Sequence, residues 1–276
     1  MLSIPDSMDP AATEMIYAPL QPAVDTTSLT LLRDQAYGSE PRQLADVAFV
    51  PKNGASRPVL VFIHGGGFTG GERRRPGTPF LDNVMLWAVR SGMVGVNATY
   101  RLAPEHPWPT GGEDVMKALQ WAMNNASAWG GDPGKVYLFG HSAGAAHAAE
   151  ALVRWADASR APAGTILLSG MYDLTHAEPT PGRIAYYGED REQWAQRSPG
   201  SRLHTLAGRM LVANADNESA EFMRQAETLW AALNLHGITP ERLLLRGHNH
   251  FSPVFSLGST DRVFADALHR FIAARP

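Results

Sequence analysis

The chain has no cysteine in its 276 residues. A thiol nucleophile, a disulfide framework and thiolate metal sites are therefore excluded. Lysine is nearly absent too, confined to Lys52, Lys117 and Lys135, so arginine carries almost all the positive charge. The formal net charge is −3. That balance gives no reason to expect nucleic acid or an anionic membrane as a partner. No stretch is long and apolar enough to span a bilayer. Met1 to Glu14 holds Asp6, Asp9 and Glu14, no Lys or Arg and no apolar h-region. A secretory signal is not expected there, and a soluble cytoplasmic protein is the default expectation. Oligomeric state leaves no mark in the sequence; a homodimer is expected only because dimers are the commonest soluble assembly.

What is present is a long alternation of strand and helix patterns. The first forty or so residues are rich in Pro, Asp and Thr and read as an N-terminal extension, 1–43, laid over a catalytic domain, 44–276. Leu44–Val50 alternates as an edge strand does. Val59–Ile63 is a continuous apolar run, as in a strand buried on both faces. Further strands are predicted at Met93–Ala98, Val136–Phe139, Thr165–Leu168, Arg209–Ala213 and Arg242–Leu245. Helices are predicted at Phe80–Arg90, Gly112–Met123, Ala145–Trp155, Glu218–Leu235 and Asp261–Ala274. Repeated βαβ units imply an α/β fold with a mostly parallel sheet, helices on both faces, and a site at the carboxyl ends of the strands. Thr175–Leu206 breaks the rhythm. It reads either as an insertion covering the site or as an irregular helix with its loops.

Directly after the strand Val136–Phe139 stands Gly140-His141-Ser142-Ala143-Gly144, and then a helix. This is G-x-S-x-G in its required strand–turn–helix context, with Ser142 as the candidate nucleophile. After Val59–Ile63 comes His64-Gly65-Gly66-Gly67-Phe68. Its glycines expose backbone N–H groups that can meet a developing oxyanion, and the N–H of Ala143 completes such a hole. The base is expected after the final strand, where His248 and His250 compete; His250 is preferred. This H-x-H pair has no third ligand, so neither a metal site nor a cofactor is expected. The acid is expected after the penultimate strand. Asp216 is the candidate, with Asp173 and Glu218 behind it; an Asp in that place can also serve as a helix N-cap.

Assembled in this way, the chain resembles the HGGG branch of the α/β-hydrolases, which holds hormone-sensitive-lipase-like carboxylesterases and kynurenine formamidases. The resemblance rests on His64–Phe68, Tyr100–Pro107, Gly130-Gly131-Asp132-Pro133, the Ser142 turn and His250-Phe251, and covers nearly the whole catalytic domain. It implies Ser142, Asp216 and His250 as a triad, and Gly66, Gly67 and Ala143 as oxyanion donors. Two departures stand out. His141 replaces the Asp of the usual G-D-S-A-G, and the N-terminal cap is short. Both lean toward formamidase-like and small esterase relatives, as do Tyr37-Gly38, Arg42-Gln43 and Ser169–Leu174. On that pattern Asp173 is a scaffold residue. Phe68, Met171, Tyr172, Tyr186 and Tyr187 are read as pocket walls or core, and His141 as facing either the pocket or the packing behind it. The activity implied is hydrolysis of small esters of short to medium acyl chain. Arylformamidase action, acyl transfer to an alcohol or amine, and a non-catalytic ligand-binding module are the competing readings.

Overall fold

The apolar run at Val59–Ile63 lies at the centre of an eight-stranded sheet. The structure is a computed structural model that describes residues 4, 8–23, 27–51, 56–155, 161–205 and 209–274. Its strands are β1 (Thr30–Ala36), β2 (Leu44–Phe49), β3 (Arg57–Ile63), β4 (Val94–Ala98), β5 (Gly131–His141), β6 (Gly164–Leu168), β7 (Arg209–Ala215) and β8 (Glu241–Leu245). They lie in the order β1-β2-β4-β3-β5-β6-β7-β8. The pairs β1/β2 and β2/β4 are antiparallel and the rest parallel. The helices are α1 (Pro10–Tyr17), α2 (Asp82–Arg90), α3 (Thr110–Asn125), α4 (Ala143–Arg154), α5 (Pro181–Tyr187), α6 (Trp194–Arg197), α7 (Ala220–Leu235), α8 (Ser252–Ser256) and α9 (Val263–Ala273).

Side chains alternate across a strand, so β3 serves two cores at once. Val59, Val61 and Ile63 pack with α3, α4 and α7 on one face. Leu60 and Phe62 pack with α2 and α9 on the other. Full burial of each such side chain contributes about 1.5–3 kcal/mol, which explains why the run is apolar at every position.

The boundary expected at residue 43 falls inside the sheet. Thr30–Ala36 forms β1, so the sheet edge is β1 and not the strand at Leu44. Charged residues in β1 obscure its pattern, and their partners explain them. Arg33 bonds Asp46 at 2.7 Å and also Asp82. Asp46, fully buried on β2, also receives Arg73 at 3.0 Å, Arg74 at 2.7 Å and the N–H of Asp34 at 2.9 Å. Burial works against its charge, but these hydrogen bonds prevail and hold its carboxyl below the ordinary range.

Upstream, α1 is capped by Asp9, whose side chain accepts from the N–H groups of Ala11 and Ala12. It is tied to the far end of the chain. Tyr17 Oη donates to Asp261 at 2.7 Å, and Asn249 Nδ2 donates to Thr13 Oγ1 at 2.8 Å.

Beneath the sheet end, His64 stacks on Tyr100 with centroids 4.5 Å apart, and His147 of α4 meets the same ring edge-on at 4.4 Å. Burial pushes His64 down to about 4 and His147 down to about 3. Among the described residues Nε2 of neither has a hydrogen-bond partner.

Asp46→Ala leaves three arginines without their shared counter-charge and should cost about 3–5 kcal/mol in urea unfolding. Loss of the exposed Arg242–Glu227 pair should cost less than about 1 kcal/mol; equal costs would refute this assignment of the Asp46 network. The depressed histidines bind protons more readily in the unfolded chain. Their contribution is complete above the unfolded value near 6.5 and is lost as pH falls toward about 4 and 3. Between pH 6.5 and 4.5 each should cost about 1.4 kcal/mol per pH unit. His147→Phe should flatten that slope by one proton, and an unchanged slope would show that His147 does not contribute.

Candidate active site

The turn between β5 and α4 is closed to side chains. A Cβ on Gly140 would lie 2.5 Å from the Gly144 carbonyl oxygen, and one on Gly144 would lie 2.3 Å from that of Ile63. Glycine at both positions lets β5 cross close over the end of β3 before α4 begins. Ser142 sits between them at φ 56°, ψ −122°, a positive-φ conformation that costs a non-glycine residue about 1–3 kcal/mol. Its N–H donates to the Leu168 carbonyl at 2.9 Å. Its side chain is thereby turned out of the sheet end. Gly65 completes the enclosure, since a Cβ there would lie 2.9 Å from Ser142 Cβ.

His250, on the loop after β8, places Nε2 2.9 Å from Ser142 Oγ. Its Nδ1 lies 2.7 Å from Glu218 Oε1. A carboxylate only accepts, so Nδ1 carries the proton and Nε2 faces the serine hydroxyl as acceptor. The Glu218 side chain has no exposed surface, and its Oε2 accepts from the N–H of Ala215 at 3.1 Å. Phe222 lies against the His250 ring at 4.5 Å, and Phe251 meets it edge-on at 5.1 Å.

The carboxylate on His250 is therefore Glu218 and not Asp216, which corrects the expectation from sequence. Asp216 accepts from the N–H of Gly247 at 2.7 Å and donates its own N–H to the Leu245 carbonyl at 3.1 Å. The reason is where the elements end. β7 runs to Ala215 and α7 starts at Ala220, so Asp216 occupies the first turn position, aimed at the backbone beyond β8. Glu218, two residues on and one methylene longer, reaches back under the histidine. The helical pattern in the sequence takes in Glu218, whereas the structure leaves it outside α7. Ser219 occupies the N-cap position with no capping side-chain bond; as a favoured N-cap type it is the mark in the sequence that places the helix start after Glu218. Asp173 and His248 stand apart from the relay. Asp173 accepts from the N–H of Thr175 at 2.9 Å in a local turn, and His248 bonds Ser252 Oγ at 3.0 Å.

Gly66 and Gly67 take φ 139° and 60°, and Gly65 and Gly66 line the same cleft as Ser142. A Cβ on Gly66 would fall 2.1 Å from the Gly70 carbonyl oxygen. Ala143 is the first residue of α4, and the first N–H groups of a helix lack intrahelical partners. The loop's outer side is supported by α5, where Gly182 approaches the Gly67 carbonyl so closely that a Cβ would lie 2.2 Å from it. The described part of Thr175–Leu206 thus packs beside this loop as α5, α6 and short turns.

A cleft of about 630 Å³ opens over Ser142. Leu81, Leu102, Phe251, Val254 and Phe255 give it apolar walls; Glu72, Arg74 and Arg75 give it a charged one, and Pro10 of α1 stands at its edge. Arg75 is paired with Glu14 of α1. Of the side chains Phe68, His141, Met171 and Tyr172, expected as pocket walls, only His141 lines this cleft. Phe68 stacks on Tyr186 at 4.9 Å, Met171 Sδ lies 3.3 Å from Arg183 Nη2, and Tyr172 Oη accepts from the N–H of Gly170 at 3.1 Å. These three are buried packing partners; their size and apolarity suit a core as well as a pocket. The walls supplied by α8 leave no mark in the sequence because its five residues are too few for a helical period to register. Among the described residues no helix is long and apolar enough to cross a membrane, and no group of three or more His, Asp or Glu is placed to hold a metal ion.

Comparison with known proteins agrees with this architecture. Residues 60–240 match a family of the alpha/beta hydrolase fold. Carboxylesterase NlhH of Mycobacterium tuberculosis is 43% identical over 88 residues, 32% of this chain and 26% of that protein. Esterase LipQ of the same organism is 27% identical over 240 residues, 79% of this chain and 56% of that protein. The matches thus span between about a quarter and just over half of these relatives' length. Among solved structures, esterase B from Lactobacillus Rhamnosis has a TM-score of 0.76 at 17% identity, covering 95% of this chain and 90% of its own. The hyperthermophilic esterase from Pyrobaculum calidifontis has a TM-score of 0.71 at 22% identity, covering 99% and 92%. With its sheet order, its turn at Ser142 and the matched residues taken together, the chain belongs to the alpha/beta hydrolase fold family.

Proposed function

We propose that the chain is a serine hydrolase that cleaves carboxylic esters of short to medium acyl chain, with Ser142, His250 and Glu218 as its triad. The observation that carries this reading is the unbroken relay from Ser142 Oγ to His250 Nε2 at 2.9 Å and from His250 Nδ1 to Glu218 Oε1 at 2.7 Å. His250 takes the hydroxyl proton as Ser142 attacks the ester carbonyl. The N–H groups of Gly66, Gly67 and Ala143 hold the oxyanion. As the tetrahedral intermediate collapses, His250 returns the proton to the departing alcohol and leaves an acyl-serine. A water, deprotonated by the same imidazole, then releases the acid. Glu218, accepting from Nδ1, orients His250 and stabilises the imidazolium.

The cleft volume of about 630 Å³ lies within the usual range for small-molecule sites, and its apolar walls suit a short acyl or alkyl group. The relatives named as carboxylesterase and esterase point the same way.

Turnover of p-nitrophenyl acetate, butyrate, octanoate and palmitate beside N-formylkynurenine tests the reading. The butyrate ester should be cleaved faster than the palmitate ester, and N-formylkynurenine faster by orders of magnitude would replace the esterase reading with a formamidase one. Ser142→Ala should lose activity by about 10⁶-fold, and near-wild-type turnover would remove Ser142 from the mechanism. Glu218→Gln should cost about 10⁴-fold in kcat, whereas Asp216→Asn should stay within about ten-fold of wild type. The reverse order would return the acid to Asp216.

A further inference from the structure

The residue before the nucleophile has a polar contact that the relay does not use. His141 Nε2 lies 2.8 Å from the main-chain carbonyl oxygen of His250. The two imidazoles are 4.9 Å apart and tilted by 43°. His141 is buried, and burial pushes its imidazole down to about 3, so it is neutral at working pH. A carbonyl only accepts, so the single proton of neutral His141 sits on Nε2.

We infer that His141 is a positioning residue for the proposed reaction, its Nε2–H tethering the backbone of His250 to the strand that carries Ser142. His250 is then held to two adjacent residues at two points: its side chain to the Ser142 hydroxyl and its main chain to the His141 ring. Glu218 on Nδ1 already orients the imidazole; the tether from His141 adds a main-chain anchor that fixes how far the base loop stands from Ser142. The link is long-range, joining the end of β5 to the loop after β8 with β6 and β7 lying between them. Other supports of the base loop come from the β7–α7 connection and from α1: Glu218 on the His250 ring, the Asn217 N–H on the His248 carbonyl, Asp216 on Gly247 and Thr13 on Asn249. His141 is the support on the nucleophile's own side. The Asp usual at this position in hormone-sensitive-lipase-like sequences is an acceptor when ionised and could not make this bond to a carbonyl.

The inference rests on the hydrolase reading above, and the experiment separates the two. Steady-state kinetics with p-nitrophenyl butyrate would compare wild type, Ser142→Ala, His141→Leu and His141→Gln, with a melting temperature for each. Leucine keeps bulk without a donor, and glutamine keeps an N–H donor at similar reach. Displacing the base should lower kcat of His141→Leu by about 10–100-fold with KM changed less than about three-fold. His141→Gln should recover kcat to within about five-fold of wild type. Wild-type kcat in His141→Leu, or equal loss in both His141 variants, would overturn the inference while an inactive Ser142→Ala leaves the hydrolase reading intact. An active Ser142→Ala overturns both. If His141→Leu does not fold, His141→Met repeats the comparison with an unbranched side chain and the same expected loss.

Discussion

The site depends on how closely two stretches of backbone approach. The carbonyls of Ile63 and His64 lie where a Cβ on Gly144 would have to go, and the Gly144 carbonyl lies where one on Gly140 would go. Because nothing separates them, the end of β3 and the start of α4 share one small volume. Ser142 is thereby turned out of the sheet, and the glycine loop after β3 is brought alongside it. The nucleophile, the loop at Gly66 and Gly67 and the N-terminus of α4 are parts of one tight crossing. Their mutual geometry is set by main-chain approaches that a single Cβ at Gly140 or Gly144 would disrupt.

The base and the acid are held differently. They arrive on separate loops after β7 and β8, and side chains lock them: Glu218 between His250 and the N–H of Ala215, Asp216 on Gly247, and Phe222 against the imidazole. One half of the relay is therefore rigid through main-chain contact and the other through a mesh of hydrogen bonds. Chemistry that moves a proton between the halves requires both to stay in register.

Much of the architecture is legible in the sequence because it rests on local pattern. The apolar run of β3 and the strand–glycine–serine–glycine–helix order around Ser142 are contiguous, and the structure puts Ser142 and His250 within hydrogen-bonding distance. What escapes is whatever depends on partners distant in sequence. The charges of β1 make sense only beside Asp46 and Asp82. The choice between Asp216 and Glu218 turns on two residues of helix start and on which backbone N–H groups lie opposite. Phe68, Met171 and Tyr172 have the chemistry of pocket walls, yet their burial depends on α5 and α6 packing over them, which no periodicity foretells. The walls from α8 follow a proline-led turn of five residues, too brief to carry a pattern.

The ties between α1 and the loops after β8 have a consequence for the order of assembly during synthesis. Thr13 and Tyr17 are separated from Asn249 and Asp261 by 236 and 244 positions, whereas the contacts of the Ser142 turn reach only from Ile63 to Leu168. A nascent chain can therefore complete the crossing at Ser142 before the loop that carries His250 has been made. Until that loop is added the serine has no base, and the bonds of Thr13 and Tyr17 to Asn249 and Asp261 cannot form.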